Sequence, residues 1–421
     1  MTRYLLSVQP FTGHVNPVLA VAAELVARDH DVRVYTGQAF AAAVTASGAR
    51  LVPWREAPDF DEHDLPATFP RLRGKKGMRQ VLVNVVDVFI ATAPAQARDL
   101  AAEYARQPWD VIAGDEMSLG AAFFAQREGT IWATICIIPL NLAGAQGPPG
   151  GLGLAPGTNP LTRTRDALLR AAVPVLSGPI SGALRRARAE AGVAPSRAGL
   201  DHQAFSPHLA VAAGCRLLDY GRTDRPASLR FVGALSRPST APFDPPPWWG
   251  ELDGPLPVVH VTQGTQNIDP DDLLRPAMEA LAGEPVLVVA TTGIRGRDEL
   301  PFPVPANVRV AGFLPHAHLL PKIETMVTNG GWGGTLGALS RGIPLVVAGG
   351  DLDKPEVAAR VAWSGAGVNL KTGTPTAMQV RTAVRRVRAD PSYRAAAQRV
   401  AAQLEAAGGA GAAASALETL A

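Results

Sequence analysis

The sequence predicts an α/β protein built from two doubly wound domains that face each other across a cleft. Three observations carry this expectation. The chain has 421 residues, too long for one ordinary core and natural for two domains of roughly 200 residues each. Short apolar strands alternate with helix patterns, which reads as βαβ units. The alternation then stops at a proline-rich stretch and restarts beyond it.

In order along the chain, Tyr4 to Val8 is an apolar strand followed by a loop. A helix pattern runs from Pro17 to Arg28, with Pro17 expected at the helix start, where its missing N–H costs nothing. A strand from Asp31 to Tyr35, a helix near Gln38 to Ala46 and a strand from Arg50 to Trp54 come next. A long helical pattern covers Met78 to Arg106. It precedes a strand at Trp109 to Ala113, a helix at Leu119 to Arg127 and a strand at Ile131 to Ile138. These strands are near-continuous apolar runs, as in parallel sheets covered on both faces.

Gly144 to Pro160, GAQGPPGGLGLAPGTNP, is expected to be a long loop, either a lid or disordered. RPSTAPFDPPPWWGELDGPLP has the composition of a semi-rigid linker. The boundaries are therefore set at 1–236 for the first domain, 237–257 for the linker and 258–391 for the second domain, leaving a helical tail at 392–421 that is expected to pack back on the first domain. The second domain offers strands at Pro257 to Thr262, Pro285 to Ala290, Val308 to Phe313, Met326 to Thr328 and Ile343 to Ala348. Helices are expected at Asp271 to Ala282, from about Thr335, and at Pro355 to Trp363, with one long Ala-rich helix closing the chain.

Apolar residues make up 47% and charged residues 18% of the chain, as in a globular protein, and no stretch approaches the roughly 18 unbroken apolar residues of a membrane span. MTRYLLSVQPF reads as a first strand, not as a signal peptide, so the cytoplasm is the expected compartment. The net charge of +3 does not suggest nucleic-acid binding, although 35 of the 40 basic residues are Arg. Cys136 and Cys215 form neither a disulfide framework nor a metal-ligand spacing. The basic run Arg71, Arg73, Lys75, Lys76 and Arg79 reads as a solvated loop.

Ligands of doubly wound domains bind at the carboxyl ends of the strands, so the loops there are where chemistry is sought. His14 follows the first strand, just before a helix. It is either a general base, its pKa depressed by the helix N-terminus, or a residue packing at the helix start. Asp115 ends the fourth strand and lies in the same crevice if the first and fourth strands adjoin. It either holds the imidazole's tautomer or caps the next helix. In the second half, VTNGGWGGTLGALSRGIP sets Gly330, Gly331, Gly333 and Gly334 between a strand and a helix, a placement that brings backbone N–H groups to phosphate. Asp351 and Asp353 spell D-x-D, a pattern that binds divalent metals elsewhere. Lys354 follows directly and supplies positive charge without a metal, so no metal is expected.

GHVNPVLAVAAELVARDHDVRVYTG resembles the N-terminus of the glycosyltransferase family 1 enzymes, the macrolide and natural-product glycosyltransferases of the GT-B fold. The resemblance continues through WDVIAGD, FVGAL, VTQGTQN, VAGFLPHAHLLP and TNGGWGGTLGALSRGIPLVVAGGDLDKPEVAARVAWSGAGV. It implies that His14 is the catalytic base and Asp115 its dyad partner. Thr265 falls in the phosphate-contacting loop, and Phe313 where an aromatic residue stacks near the base. Leu314 and His316 follow in the same donor segment, His316 where a Gln is common. Asn329, the four glycines and Thr335 line the diphosphate, and Asp353 and Lys354 occupy the Asp-Gln pair that contacts the sugar hydroxyls. Phe11 and Thr12 fall on the acceptor side.

The departures fall on the glycine stretch. Asn329 replaces the usual His, Gly337 replaces a ribose-binding Glu, and Lys354 replaces a Gln. The resemblance implies an inverting, metal-independent enzyme with a UDP- or dTDP-sugar as co-substrate, no cofactor and a small hydrophobic acceptor. It would act as a monomer or homodimer. The alternatives are a sugar-nucleotide 2-epimerase of the same architecture and a non-catalytic binder.

Overall fold

The structure, a computed structural model, describes residues 1–75, 77–237, 243–264 and 269–421. Two parallel sheets organise it. The first holds β1 (Arg3–Ser7), β2 (Asp31–Thr36), β3 (Arg50–Pro53), β4 (Val111–Asp115), β5 (Trp132–Cys136), β6 (Leu209–Ala213) and β7 (Leu229–Gly233) in the order β3-β2-β1-β4-β5-β6-β7. The second holds β8 (Val258–Thr262), β9 (Leu287–Thr291), β10 (Val308–Ala311), β11 (Thr325–Thr328), β12 (Leu345–Val347) and β13 (Gly367–Asn369) in the order β10-β9-β8-β11-β12-β13.

Strand order reverses in the same way in both sheets. β1 pairs with β4, Ser7 opposite Gly114, and β8 pairs with β11, Thr262 opposite Thr328. Each reversal opens a crevice beyond the strand ends, where a ligand fits between diverging loops. β4, β5, β6 and β8 are buried at every residue, because helices cover both faces and leave no polar side to the pleat.

Several boundaries differ from the sequence expectation. The first helix begins at Thr12, five residues before Pro17, so Pro17 lies inside it and His14 sits in its first turn. The glycine helix begins at Trp332, so Gly333 and Gly334 belong to the helix and not to the loop before it. The long run after Lys76 is three pieces, Gly77–Val83, a π-helical Asn84–Ile90 and Ala93–Arg106. The 28 residues Arg79–Arg106 are long and apolar enough to cross a membrane, but half of their most apolar window is buried inside the fold, as for a core helix. The Ala-rich tail is two helices, Pro391–Ala406 and Gly409–Glu418, parted where Gly408 and Gly409 take φ of 83° and 61°. Left-handed backbone of that kind ends a helix and favours glycine.

The two sheets are joined at their carboxyl ends and by the tail. Arg28 donates to the Gly411 carbonyl at 2.8 Å and to Glu418 at 2.8 Å, which fastens the last helix to the first. Beneath the cleft, the buried Arg360 of the helix Lys354–Ser364 donates to the carbonyls of Leu140 (2.7 Å) and Leu218 (2.9 Å) and to Asp219 (2.9 Å). Glu356 accepts from Arg360 and from the Tyr220 hydroxyl at 2.9 Å. A buried guanidinium persists only when its donors are matched in this way.

Candidate active site

The first-domain half of the site grows out of the β1/β4 crevice. Asp115 ends β4 and is 3% exposed, so its charge needs donors. The backbone N–H of Gln9 reaches Oδ2 at 2.8 Å, and those of Met117 and Ser118 reach Oδ1 at 2.6 and 2.9 Å. Oδ2 also lies 3.3 Å from His14 Nδ1. Asp115 thus secures the turn before the helix Leu119–Glu128, whose N-cap is Ser118 and not Asp115, and it lies against the imidazole.

His14 is fixed from above by aromatic rings. Phe89 stacks on it at 6.2 Å with planes 24° apart, and Phe11 lies tilted at 5.5 Å. Phe11 in turn packs on Phe60 at 5.1 Å. The helix start beneath His14 carries no local cap. Glu62 supplies one from fifty residues away, accepting the Thr12 N–H at 2.9 Å and the Thr12 hydroxyl.

The expected depression of the His14 pKa is not what the structure gives. Burial pushes the imidazole down, but Asp115 by charge and hydrogen bond, then Glu116 and Asp353, together outweigh burial and raise it. The helix N-terminus is one positive end against three carboxylates. Asp353 belongs to the second domain, so His14 senses the opposite wall of the cleft.

That wall is built from the ends of β11 and β12. Asn329 is buried, and its amide donates to the Gln263 carbonyl while Oδ1 accepts the Gly331 N–H at 3.4 Å. The side chain thus ties the β8 and β11 loops together. Gly330 has φ of 91°, and a Cβ there would stand 2.9 Å from Val347 Cγ1, so only glycine fits. A Cβ on Gly331 or Gly333 would meet nothing within 4 Å, which leaves open space over the first turn of the helix Trp332–Leu339. That helix has no side-chain cap at its start, and uncapped first-turn N–H groups attract anions. Trp332 seats the turn against the first domain, donating to the Ala213 carbonyl at 3.2 Å. Thr335 is wholly buried, and its hydroxyl has no partner among the described residues. Thr265 lies outside the described residues.

Phe313 is 41% exposed and carries the Arg295 guanidinium 4.0 Å above its ring, whereas Leu314 is buried in the core. His316, which the resemblance sets in the donor segment, is tucked beside the glycine helix. A Cβ on Gly337 would lie 3.8 Å from its Nδ1, and its ring meets His260 edge-on at 6.0 Å. Burial pushes the His316 pKa down. That Gly337 Cβ would be in ordinary van der Waals contact with the imidazole and with Leu320.

Asp353 precedes the helix Lys354–Ser364, and burial raises its carboxyl, with Lys354 and His14 pulling the other way. Lys354 is 9% exposed and donates to Asp351 Oδ1 at 2.5 Å. The positive charge expected for a diphosphate is therefore paired within its own turn. Among the described residues, no group of three His, Cys, Asp or Glu side chains is arranged to hold a metal ion.

Sequence reasoning missed four contributors: Glu62, Glu116, Arg295 and the Arg360 cluster. Only Glu116 left a signal, a second acid directly after Asp115 at a strand end. The 144–160 loop is ordered against its surroundings. The Gly153 N–H reaches Glu356 at 3.2 Å, and Arg165 donates to the Ala155 carbonyl at 2.8 Å.

Two parallel doubly wound sheets, with a His-Asp pair at the end of one and a glycine helix at the end of the other, define a glycosyltransferase of the GT-B class. A model of the erythromycin biosynthesis protein CIII-like C-terminal domain matches residues 277–419. The chain is 43% identical over 406 residues to 4'-demethylrebeccamycin synthase of Lentzea aerocolonigenes, covering 94% of each. It is 32% identical over 416 residues to UDP-glucosyltransferase B1 of Starmerella bombicola, covering 94% of this chain and 93% of the relative. Among solved structures, the glycotransferase of kitacinnamycin superposes with a TM-score of 0.74 at 23% identity, over 100% of this chain and 99% of its own. The chain belongs to the natural-product glycosyltransferases of family 1, and it is an enzyme of that class.

Proposed function

We propose that the protein is an inverting, metal-independent glycosyltransferase that moves a sugar from a UDP- or dTDP-sugar to a small hydrophobic acceptor. The observation that carries this reading is the His14–Asp115 pair, 3.3 Å apart in the first domain and within electrostatic reach of Asp353 in the second. Nδ1 faces Asp115, so the tautomer with hydrogen on Nδ1 leaves Nε2 as the proton acceptor. Nε2 takes the proton of the acceptor nucleophile as that atom bonds to the anomeric carbon. The bond from that carbon to the diphosphate oxygen breaks on the opposite face, through an oxocarbenium-like state. Asp115 steadies the imidazolium, and the first-turn N–H groups of the glycine helix offset the charge gathering on the diphosphate.

Metal independence is supported by the D-x-D pattern itself, since Asp351 is paired with Lys354 and not free to join Asp353. Phe11 and Phe89 beside His14, with Phe60 buried behind Phe11, offer an apolar wall suited to an aromatic or aliphatic acceptor. A relative named as a UDP-glucosyltransferase supports a uridine nucleotide as the first donor to try. Replacing His14 by Ala should lower transfer by about 10²-fold or more, the usual scale for a general base, while UDP binding measured by calorimetry stays within a few-fold. Unchanged turnover would remove His14 from the mechanism.

A further inference from the structure

The helix Pro160–Leu176, which follows the 144–160 loop, is amphipathic in reverse. Written as heptads, it places Leu161, Leu168 and Val175 at a and Thr164 and Ala171 at d, the seam along which two helices pair. All five are exposed, the three large ones at 80%, 67% and 81%. Asp166, at f on the opposite side, is buried. The inward side is polar and occupied. Asp166 accepts the Gly157 N–H at 2.7 Å and pairs with Arg165 at 2.6 Å. Arg165 donates to the Ala155 carbonyl at 2.8 Å, and Arg170 donates to the Gly147 carbonyl. That side carries the loop, so the apolar side is turned away from its own chain. Single exposed apolar residues are ordinary, but a row at the period of helix pairing marks a contact surface.

We propose that this seam is the pairing surface for a second copy of the chain, the two helices lying antiparallel about a two-fold axis. Size sets the direction. The a residues are large and the d residues small, and antiparallel helices set a against d, so Leu168 fills the space over Ala171 or Thr164 of the second copy. Parallel helices would stack large on large and small on small, leaving gaps at the Thr164 and Ala171 layers. Charge agrees. The flanking e and g positions are Pro160, Ala167, Ala172, Pro174 and Arg165, and Arg165 is already paired with Asp166, so like charges do not meet. A lipid surface would call instead for cations bordering the seam, whereas Arg163 and Arg170 lie at c, toward the far side. The same face on both copies closes the pair. At 1.5 Å per residue the 17-residue helix is about 25 Å long, so two such faces bury on the order of 500–1,000 Å², less than the roughly 1,200 Å² of a stable complex. The dimer is therefore a weak one that dissociates on dilution.

Sedimentation velocity of the full chain between about 1 and 300 µM tests this, the mass being expected to move from one chain toward two as concentration rises. Leu168→Arg sets two arginines near the axis and should weaken the dimer at least about 10-fold. Because Leu168 is exposed, the circular dichroism of the variant should match wild type. Direction is read by cross-linking single added cysteines, since Cys136 and Cys215 are buried. Residue 168 lies near the axis, while the two copies of residue 161 stand about 15–25 Å apart along it, so a bismaleimide spanning about 10 Å should join Leu168→Cys chains and not Leu161→Cys chains. That pattern decides the matter even if the arginine variant loses its fold. A monomer throughout, or a folded Leu168→Arg that dimerises as wild type does, overturns the proposal. Equal cross-linking at both positions means parallel helices and overturns the antiparallel arrangement. A chain that stays monomeric but binds phosphatidylglycerol vesicles gives the seam to a lipid surface and overturns the proposal as well.

Discussion

Asp115→Asn perturbs one atom of the site and has consequences that follow from its hydrogen bonds. The carboxylate accepts from the amides of Gln9, Met117 and Ser118 and faces His14 Nδ1. An Asn oxygen can serve one side of this set, and its NH₂ group must then confront donors on the other. Turned toward Met117 and Ser118, the oxygen leaves NH₂ against the Gln9 N–H and the imidazole, and the reverse placement sets it against two amides. Hydrogen bonds to a charged group are worth about 1.5–3 kcal/mol each, so a stability loss of about 2–4 kcal/mol is expected. On catalysis, losing the counter-charge of the imidazolium at about 2–3 kcal/mol corresponds to a fall in kcat of about 30- to 150-fold.

The pH dependence gives the sharper reading. In the wild type the His14 pKa is raised, so the acid limb of the rate should lie above the ordinary value of about 6.5. Burial, which lowers it, remains in the variant while the largest raising influence is gone, so the limb should move down. For stability, a raised folded-state value favours the fold fully below about 6.5, and that contribution is lost as pH rises through the folded value. The assay is release of nucleoside diphosphate against pH, with thermal unfolding at pH 5.5 and 8. An acid limb that stays in place or moves up in Asp115→Asn would refute the electrostatic coupling.

The remaining predictions concern the glycine stretch and the seam under the cleft. Gly330→Ala combines φ of 91° with a Cβ 2.9 Å from Val347 Cγ1, so it should cost about 1–3 kcal/mol. A melting temperature equal to wild type would remove the requirement for glycine. Arg360→Met leaves Glu356 and Asp219 buried without their shared guanidinium, and breaking such a cluster costs about 3–5 kcal/mol. Thermal unfolding should show a fall of several degrees or more, and an unchanged transition would mean that Arg225, which pairs with Asp219 at 2.7 Å, and Tyr220, which donates to Glu356, satisfy both acids alone.

Much of the architecture was legible because parallel strands buried on both faces have no polar side. Runs such as Val111 to Ala113 and Val259 to Val261 announce themselves by composition. β6 and β7 escaped, since LAVAA is a short run of small apolar residues whose period fits helix and strand alike. The start of the first helix escaped for a different reason. Its cap is Glu62, fifty residues away, so no local capping signal exists and Pro17 offered the nearest marker. The break in the tail at Gly408-Gly409 was written in the glycines but depends on where the last helix must turn to reach Arg28.

By itself, the sequence determined which residues reach the strand ends: His14, the glycines, Asp353 and Lys354 lie on loops or first turns there, and Asp115 is the last residue of β4. Covalent order and hydropathy are local properties, and they suffice to place a residue at the end of a strand. Which charges meet across space was decided only by the tertiary structure. Lys354 faces Asp351 and not an open cradle, Asn329 spans to the Gln263 carbonyl, and carboxylates from β4, its following turn and the second domain converge on His14 to reverse its expected shift. Electrostatic influence sums over distance and burial, and neither quantity is defined until the chain has folded.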